Sequence, residues 1–414
     1  MGHGHGHGHS AVERLEEEPR RGLGSVLAVI VGIIAVLTII AMVVLWPDSS
    51  KIPRSANPYG QEGVSTVDAT VTQVAPFDCG SGGEGPDGQQ SLKGDCANVT
   101  ARTSDGTATF QLDAGRFRAG MESGDKISLI KLQPPGQEAS YEFLDFKRGF
   151  PLTALAVVFS LLVVAVARWR GLFAIVGIGV TLLALFKFVL PAILSGESPL
   201  VATVVGSTGI MFVVLYLAHG VSIRTTSALF GTLFGIACTA AIGWGATGWT
   251  SLNGIGSEDD QTLLASAPDL NMQAVVAASM VIAGLGVLND VTVTQASAVW
   301  EMRALRPTAR AGELFASAMR IGRDHIASSV YTLVFAYAGS AMTILLLITA
   351  YQRGLAEMAT TEELAQEIVR TLVGAIGLVL AVPITTAIAV VLAPRPEDEP
   401  LPEPGSTTGG SHRA

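Results

Sequence analysis

The fold is decided by residues 274–303, which read AVVAASMVIAGLGVLNDVTVTQASAVWEMR. The first half of this stretch is a charge-free apolar run of the kind that crosses a bilayer as a helix. It meets Asn289 and Asp290 and then continues as a polar segment that carries Arg303. An ionisable residue at the end of a membrane span costs free energy unless it faces water or a partner. The stretch therefore predicts a membrane helix with a functional carboxylate at Asp290.

The composition of the whole chain is that of a membrane protein. Of its 414 residues, 49% are hydrophobic and 15% are charged, and the mean hydropathy is +0.47. The apolar residues lie in long blocks, whereas soluble domains disperse them. A membrane helix needs about 20 residues at a rise of about 1.5 Å per residue. Eight segments are long and apolar enough, at 24–46, 150–167, 171–194, 199–218, 225–248, 273–289, 326–351 and 368–393.

These segments predict a polytopic α-helical membrane protein with about eight transmembrane helices. One small extracytoplasmic β-rich domain is expected between the first helix and the second. Residues 24–46 would form a transmembrane anchor, 47–149 the outer domain and 150–393 a seven-helix membrane domain. The apolar run of the anchor exceeds a signal-peptide core, so we expect it to be retained. The tails at 1–23 and 394–414 have low complexity and are predicted to be disordered.

Basic residues in the short loops predict the orientation of the chain in a cell membrane. Cytoplasmic loops carry an excess of Lys and Arg. Both termini are therefore predicted to be cytoplasmic, because only Arg353 then falls in a short outer loop. The arginines on the inner side would be Arg14, Arg20, Arg21, Arg168, Arg170, Arg224, Arg303, Arg306, Arg310, Arg320 and Arg323.

The outer domain is predicted to be β-rich, with a barrel-like or sandwich-like shape. Polar and apolar residues alternate in 65–72 and 108–112, and a further strand is expected at 126–132. Cys79 and Cys96 enclose 16 residues. In an oxidising compartment they would form a disulfide worth about 3 kcal/mol. The alternative is a pair of unpaired thiols.

Metal and nucleic-acid partners receive little support from the sequence. His3, His5, His7 and His9 alternate with glycine and are weak candidates for binding Zn²⁺, Ni²⁺ or Cu²⁺. The alternative is a flexible tail or a tag, because no Cys or carboxylate joins the set. No other cofactor is expected. The net charge of −9, with its basic residues spread among the loops, argues against nucleic acid.

Two polar stripes are the candidate site within the membrane domain. A helix that continues through Asn289 and Asp290 would carry the first stripe along one face, because its members lie at offsets 0, 4, 7 and 11. The next helix would open with the second stripe, at offsets 0, 3, 4 and 7. A carboxylate between such stripes would bind a cation or carry a proton along a hydrated path. The first stripe is Asp290, Thr294, Ser297 and Glu301, and the second is His325, Ser328, Ser329 and Thr332.

A structural interpretation of the same residues stays open. Asp290 would then cap a helix at the membrane surface, and the Ser and Thr hydroxyls would hold neighbouring helices together. The spacing of Gly231 and Gly235 likewise predicts two helices that pack closely.

The run GLGVLNDVTVTQASAVWEMR at 284–303 resembles the signature of the YibE/F family of bacterial multi-pass membrane proteins. The segment YEFLDFKR at 141–148 is similar to the approach of that family to its second span. The resemblance covers residues 24–393 approximately and implies the architecture of a bacterial cytoplasmic-membrane protein. It implies no particular activity.

A second resemblance concerns mechanism. The runs NDVTV at 289–293 and IASSVYTL at 326–333 are similar to consecutive helices of SecF-type subunits, members of the resistance-nodulation-division group. The resemblance implies that helices four to eight form a proton-driven permease half. The chain departs from that pattern by two extra helices after the outer domain. It also has GRDH at 322–325 where the group has a basic residue and threonine.

Two functions follow as hypotheses. The first is a transporter or permease of unknown substrate that is linked to a cation or proton through Asp290. The second is an accessory or scaffold protein whose outer domain binds an envelope component or a partner protein. A second copy of the chain, in a homo-oligomer, is a further candidate partner. An enzyme is not expected, since HExxH, GxSxG and paired intramembrane aspartates are missing from the sequence. In both cases the surrounding partner is the lipid bilayer.

Overall fold

The structure is a computed structural model that describes residues 21–52, 63–79, 94–351 and 354–394. The imidazoles His3 to His9, the C-terminal tail from 395 and the loop at 80–93 lie outside the described residues. The chain divides into two compact units, one of residues 53–166 and the other of residues 1–52 and 167–414.

The first unit is built on a five-stranded antiparallel sheet. Its strand order is β3-β2-β1-β4-β5. Strand β1 is the longest because it pairs β2 along one part of its length and β4 along another, with a bulge between Val71 and Gln73. The strands are β1 (Val64–Asp78), β2 (Asp95–Thr103), β3 (Gly106–Leu112), β4 (Lys126–Leu132) and β5 (Ser140–Phe146), with the short helix α2 (Ala114–Phe117) after β3.

The sheet curls until its two edge strands approach each other. Alternate residues of each strand point inward, and Val99, Ile127 and Leu129 are almost completely buried. Phe110 of β3 and Phe143 of β5 stack with ring centroids 6.3 Å apart, although the two strands share no ladder. A disulfide joins Cys79, which follows β1, to Cys96 of β2, and the Cα atoms are 5.5 Å apart. The β-rich character expected of this region is confirmed.

The second unit is a bundle of long apolar helices, and residues 149–166, the first part of one of them, fall in the first unit. Among the described residues, six helices are long and apolar enough to cross a membrane, and one bent pair, Ala311–Ser340 with Met342–Ala350, gives a seventh candidate. The helices of the chain, apart from α2, are α1 (Arg21–Val44), α3 (Gly149–Ala184), α4 (Leu190–Leu194), α5 (Pro199–His219), α6 (Ile223–Trp249), α7 (Glu258–Ser266), α8 (Met272–Leu305), α9 (Ala311–Ser340), α10 (Met342–Tyr351), α11 (Leu355–Met358) and α12 (Glu362–Leu392). A π-helical turn, Leu185–Val189, connects α3 to α4.

The second apolar segment, Gly149–Leu194, contains a break where the sequence predicts a boundary between two spans. It is 46 residues long, about 69 Å if straight, which is more than twice the thickness of a bilayer core. Arg168 leaves the helical conformation inside it, with φ 54° and ψ −133°. A left-handed φ is uncommon for a residue other than glycine.

Helices α6, α8 and α12 form the centre of the bundle, and the contacts of α6 fix its register against both α8 and α12. A Cβ added to Gly235 would lie 2.6 Å from Leu288 Cδ2, and one added to Gly243 would lie 3.3 Å from Met280 Sδ. Residue numbers rise on α6 as they fall on α8, so the two helices are antiparallel. The same holds for α6 and α12, because a Cβ on Gly231 would overlap Thr385 and one on Gly235 would contact Ala381.

Two helix ends differ from the sequence prediction. The segment expected at 273–289 continues as α8 to Leu305, and the segment expected at 326–351 begins as α9 at Ala311. Each predicted span ended where polar residues began, although the first stripe already required a helix that continues past Asp290. The helices continue because one face of this polar part stays apolar, so that Val299, Trp300, Leu314 and Ala318 are buried in a common cluster.

Candidate functional site

The depth of Asp290 in the bundle follows from the register of α8 against α6. Thr292 and Thr232 join their hydroxyls at 2.7 Å, and Leu288 contacts Gly235. Asp290 therefore lies level with residues 233 and 234, close to the middle of α6 at Ile236. The helix continues beyond Asp290 for 15 residues, so the carboxylate does not cap it. Asp290 is thus in the interior of a long helix, as the first stripe requires, and the structural interpretation in which it caps a helix is wrong.

The side chain of Asp290 is exposed in this chain. Its own backbone oxygen accepts a hydrogen bond from Thr294 Oγ1 at 2.8 Å. Within the described part of the protein, its carboxylate has neither an ion pair nor a hydrogen bond. Ser297 is half-buried and Glu301 is exposed on the same face. The first polar stripe therefore forms one continuous, largely uncovered side of α8.

The second stripe lies at the same depth on α9. Five residues, Arg306 to Arg310, connect α8 to α9, and Gln295 contacts Ala318 and Gly322 across the hairpin. Because the two helices are antiparallel, Asp290 is level with residues 323–327, which include His325. His325 is half-buried, Ser329 is buried, and the others are exposed.

No hydrogen bond joins the two stripes among the described residues. Thr332 Oγ1 donates to the backbone oxygen of Ser328 at 3.1 Å, one turn earlier on its own helix. Thr294 Oγ1 likewise donates to a backbone oxygen of its own helix, that of Asp290. The two threonine hydroxyls therefore do not bridge the helices. The structure therefore places the two stripes at the same level in the bundle, and it leaves polar groups of both stripes exposed.

A second polar group, missed by the sequence analysis, lies buried on the opposite side of α8. Gln295 Nε2 donates to the Ala318 backbone oxygen at 3.0 Å and to Thr386 Oγ1 at 2.8 Å. Thr386 Oγ1 donates to the Val382 backbone oxygen at 2.7 Å. Together with Thr232 and Thr292 this buried polar junction connects α6, α8, α9 and α12. All four side chains, Thr232, Thr292, Gln295 and Thr386, are completely buried.

The junction is almost but not completely satisfied. Both N–H groups of Gln295 are used, while its Oε1 and the Oδ1 of Asn289 have no hydrogen-bond partner among the described residues. A buried acceptor without a partner costs about 1–3 kcal/mol. Gly322 makes the close approach of α9 feasible, since a Cβ there would lie 3.0 Å from Gln295 Oε1. A sequence signal for the junction was present, because Thr292 and Gln295 are three residues apart on one helical face.

Arg303, one of the arginines assigned to the inner side, has a structural position within the bundle. It is completely buried. Its Nη1 donates to the backbone oxygens of Pro307 at 3.2 Å and Ala309 at 2.7 Å. The guanidinium therefore holds the connection between α8 and α9, and with it the relative level of the two stripes.

Metal-binding residues do not cluster in the described ranges, where no three His, Cys, Asp or Glu side chains lie close enough to hold an ion. Asp290 and His325 are accordingly a pair of titratable groups at one depth and not a ligand cage.

Comparison with known proteins agrees with the helical architecture. The model of the YibE/F-like protein family matches residues 155–395, which is more than half of the chain and contains both stripes and the buried polar junction. No curated protein and no solved structure gives a significant match. The apolar helices are those of a membrane-embedded protein. On the match over residues 155–395, the chain belongs to the YibE/F-like family.

Proposed function

We propose that this protein is a permease that moves a cation or a proton past Asp290. The observation that carries the proposal is a carboxylate at mid-depth on α8 that is exposed and has no partner among the described residues. An aspartate at the centre of a membrane helix costs about 3 kcal/mol on insertion scales, unless it faces water or a partner. A hydrated path along the polar stripe would remove that cost.

His325 is the second participant in this proposal. It is half-buried at the level of Asp290. An imidazole can both accept and donate a proton through its two ring nitrogens, so it would relay a proton that reaches the carboxylate. Thr294, Ser297, Ser328 and Thr332 would supply hydroxyls to ions or waters along the way. The protein would have no enzymatic activity.

The topology belongs to the same proposal. The break at Arg168 would divide Gly149–Leu194 into two spans, and α9 with α10 would make one bent span. With α1, α5, α6, α8 and α12 this gives eight spans in a bacterial cytoplasmic membrane. Both termini would be cytoplasmic and the β-rich unit would be extracytoplasmic, as the basic loops favour.

The test is ion flux into proteoliposomes that contain the full-length protein. Proton entry is followed with an enclosed pH-sensitive dye under an imposed membrane potential, and Na⁺, K⁺ and divalent ions are tested in parallel. Asp290→Asn should reduce flux to the level of protein-free vesicles. Glu313→Gln is the matched control, because Glu313 is an exposed carboxylate in the first turn of α9 and belongs to neither stripe. Wild-type protein that carries none of these ions above background would refute the proposal.

A second candidate is an accessory protein whose α8 face binds a helix of another protein. The observation that favours it is Gly286, which is exposed one turn before Asp290 and has open space where a Cβ would lie. Small residues allow helices to approach closely within a membrane. In that case Gly286→Trp should release a co-purified partner, while deletion of residues 60–145 tests the outer domain in the same way. A partner list unchanged by both variants would count against this candidate.

A further inference from the structure

A cavity lies where the bent span meets the last helix, remote from Asp290. The axes of α9 and α10 differ by 64° across the break at Ala341. The cavity beside this break has a volume of about 230 Å³, and it is lined mainly by apolar side chains of α9, α10 and α12, together with Tyr337, Glu367 and Thr371. Non-helical breaks at membrane depth occur where they line a cavity or are covered by protein.

The cavity opens onto an apolar surface. Three of its lining side chains, Val334, Ile368 and Leu372, are 42%, 38% and 56% exposed. In a bilayer such a surface faces lipid, so an apolar chain would enter from the membrane. The register of α6 and α12 gives the depth: Gly231 contacts Thr385 and Gly377 contacts Thr239, which places Glu367 opposite Trp249 at the end of α6. Glu367 therefore lies at the level where helices end and headgroups begin.

Two polar atoms at this level lack partners. Glu367 Oε1 is paired with Arg370 Nη1. Glu367 Oε2 and Arg370 Nε are buried and have no hydrogen-bond partner among the described residues. The first is an acceptor with negative charge and the second is a donor with positive charge. Glu367 lines the cavity, and rotation about its broad terminal torsion brings a carboxylate oxygen to the cavity surface.

We propose that this cavity binds a phospholipid with a phosphoethanolamine headgroup. An acyl chain fills the apolar cavity, the primary ammonium donates a hydrogen bond to the Glu367 carboxylate, and the phosphate accepts one from the Arg370 guanidinium. The two charges of the headgroup match the two charges of the pair. A headgroup whose nitrogen carries three methyl groups has no N–H to donate and leaves the carboxylate oxygen without a partner. The site is independent of transport through Asp290.

The test uses full-length protein in phosphatidylglycerol vesicles that contain a trace of phospholipid with a photoreactive group in the acyl chain. The probe headgroup is phosphatidylethanolamine, its monomethyl or dimethyl derivative, or phosphatidylcholine. Labelled peptides are then mapped. Labelling of residues 334–345 and 364–372 should fall about tenfold from the dimethyl probe to phosphatidylcholine, because a hydrogen bond to a charged group is worth roughly that factor. This series needs no variant, so misfolding cannot obscure it.

Variants then identify the partner of the headgroup. Glu367→Gln should lower labelling by phosphatidylethanolamine to that by phosphatidylcholine, whereas Glu363→Gln, an exposed carboxylate one turn earlier on α12, should leave it unchanged. Ala338→Phe, which fills the cavity, should abolish labelling by every probe. Equal labelling by all four probes in the wild type would show that the cavity binds acyl chains without discriminating between headgroups. That result, or selective labelling that survives Glu367→Gln, would overturn the proposal.

Discussion

The close packing of α6 on α12 makes Gly231→Ala a demanding test of the bundle. A Cβ at position 231 would overlap Thr385, which is completely buried and donates from Oγ1 to the Ala381 backbone oxygen at 2.7 Å. Either the two helices must separate or Thr385 must rotate and lose that bond. Overpacking of this kind costs about 1–3 kcal/mol and a lost hydrogen bond about 1 kcal/mol. Alanine recovers about 1 kcal/mol through its higher helix propensity.

The expected net loss for Gly231→Ala is therefore roughly 1–3 kcal/mol, or about 5 °C in the unfolding midpoint of a unit of this size. Gly286→Ala is the matched control, since it makes the same change inside a helix with nothing within 4 Å of the new Cβ. It should be neutral or slightly stabilising. Thermal unfolding in detergent measures both variants, and Thr385→Ala should rescue Gly231→Ala. Equal midpoints for the two glycine variants would refute the α6–α12 register on which the depth of Glu367 rests.

Two further predictions concern the β-rich unit. A hydrogen bond from Lys131 lowers the pKa of Asp105, and the same bond raises the pKa of Lys131. The pair therefore stabilises β4 above the unfolded aspartate pKa of about 3.9 and below the unfolded lysine pKa of about 10.4. Its contribution is lost as pH falls through the lowered pKa or rises through the raised one. Amide exchange of β4 should show that window in the wild type and lose it in Asp105→Asn, and identical profiles would contradict the assignment. Replacing both Cys79 and Cys96 by alanine should destabilise the unit by about 3 kcal/mol, the value for a loop of about 15 residues. Amide hydrogen exchange of the β1–β2 residue pairs beside the disulfide measures this loss of stability. Amide protection equal to that of the oxidised wild type would disprove a stabilising disulfide.

The sequence predicted the apolar segments and the β-rich region because both depend on local composition and periodicity. Strands were expected at 108–112 and 126–132, and the structure has them at Gly106–Leu112 and Lys126–Leu132. The break at Arg168 was also indicated, by basic residues between two apolar runs. Such features need no knowledge of what packs against them.

Depth and pairing could not be predicted in this way. From the sequence alone the apolar span ended at Asn289 because polarity increases there, but the partners that bury Val299 and Trp300 come from other helices. Gln295 was passed over because a neutral amide carries no charge signal. Glu367 and Arg370 were not singled out in the sequence as a site, because the cavity beside them and their unpartnered atoms appear only in the packed structure.

Both candidate functions require the Asp290 carboxylate to face outward from the bundle. The buried side of α8 is fixed by Thr292 and Gln295, so the helix cannot rotate the carboxylate inward without breaking the junction with α6 and α12. The carboxylate must therefore meet either water or another molecule on its open face. Flux that is lost in Asp290→Asn and kept in Gly286→Trp would indicate that the Asp290 carboxylate faces water. A partner released by Gly286→Trp, from a protein that carries no ion, would indicate a docking face. The register of one helix thus reduces the function to a choice between two measurable outcomes.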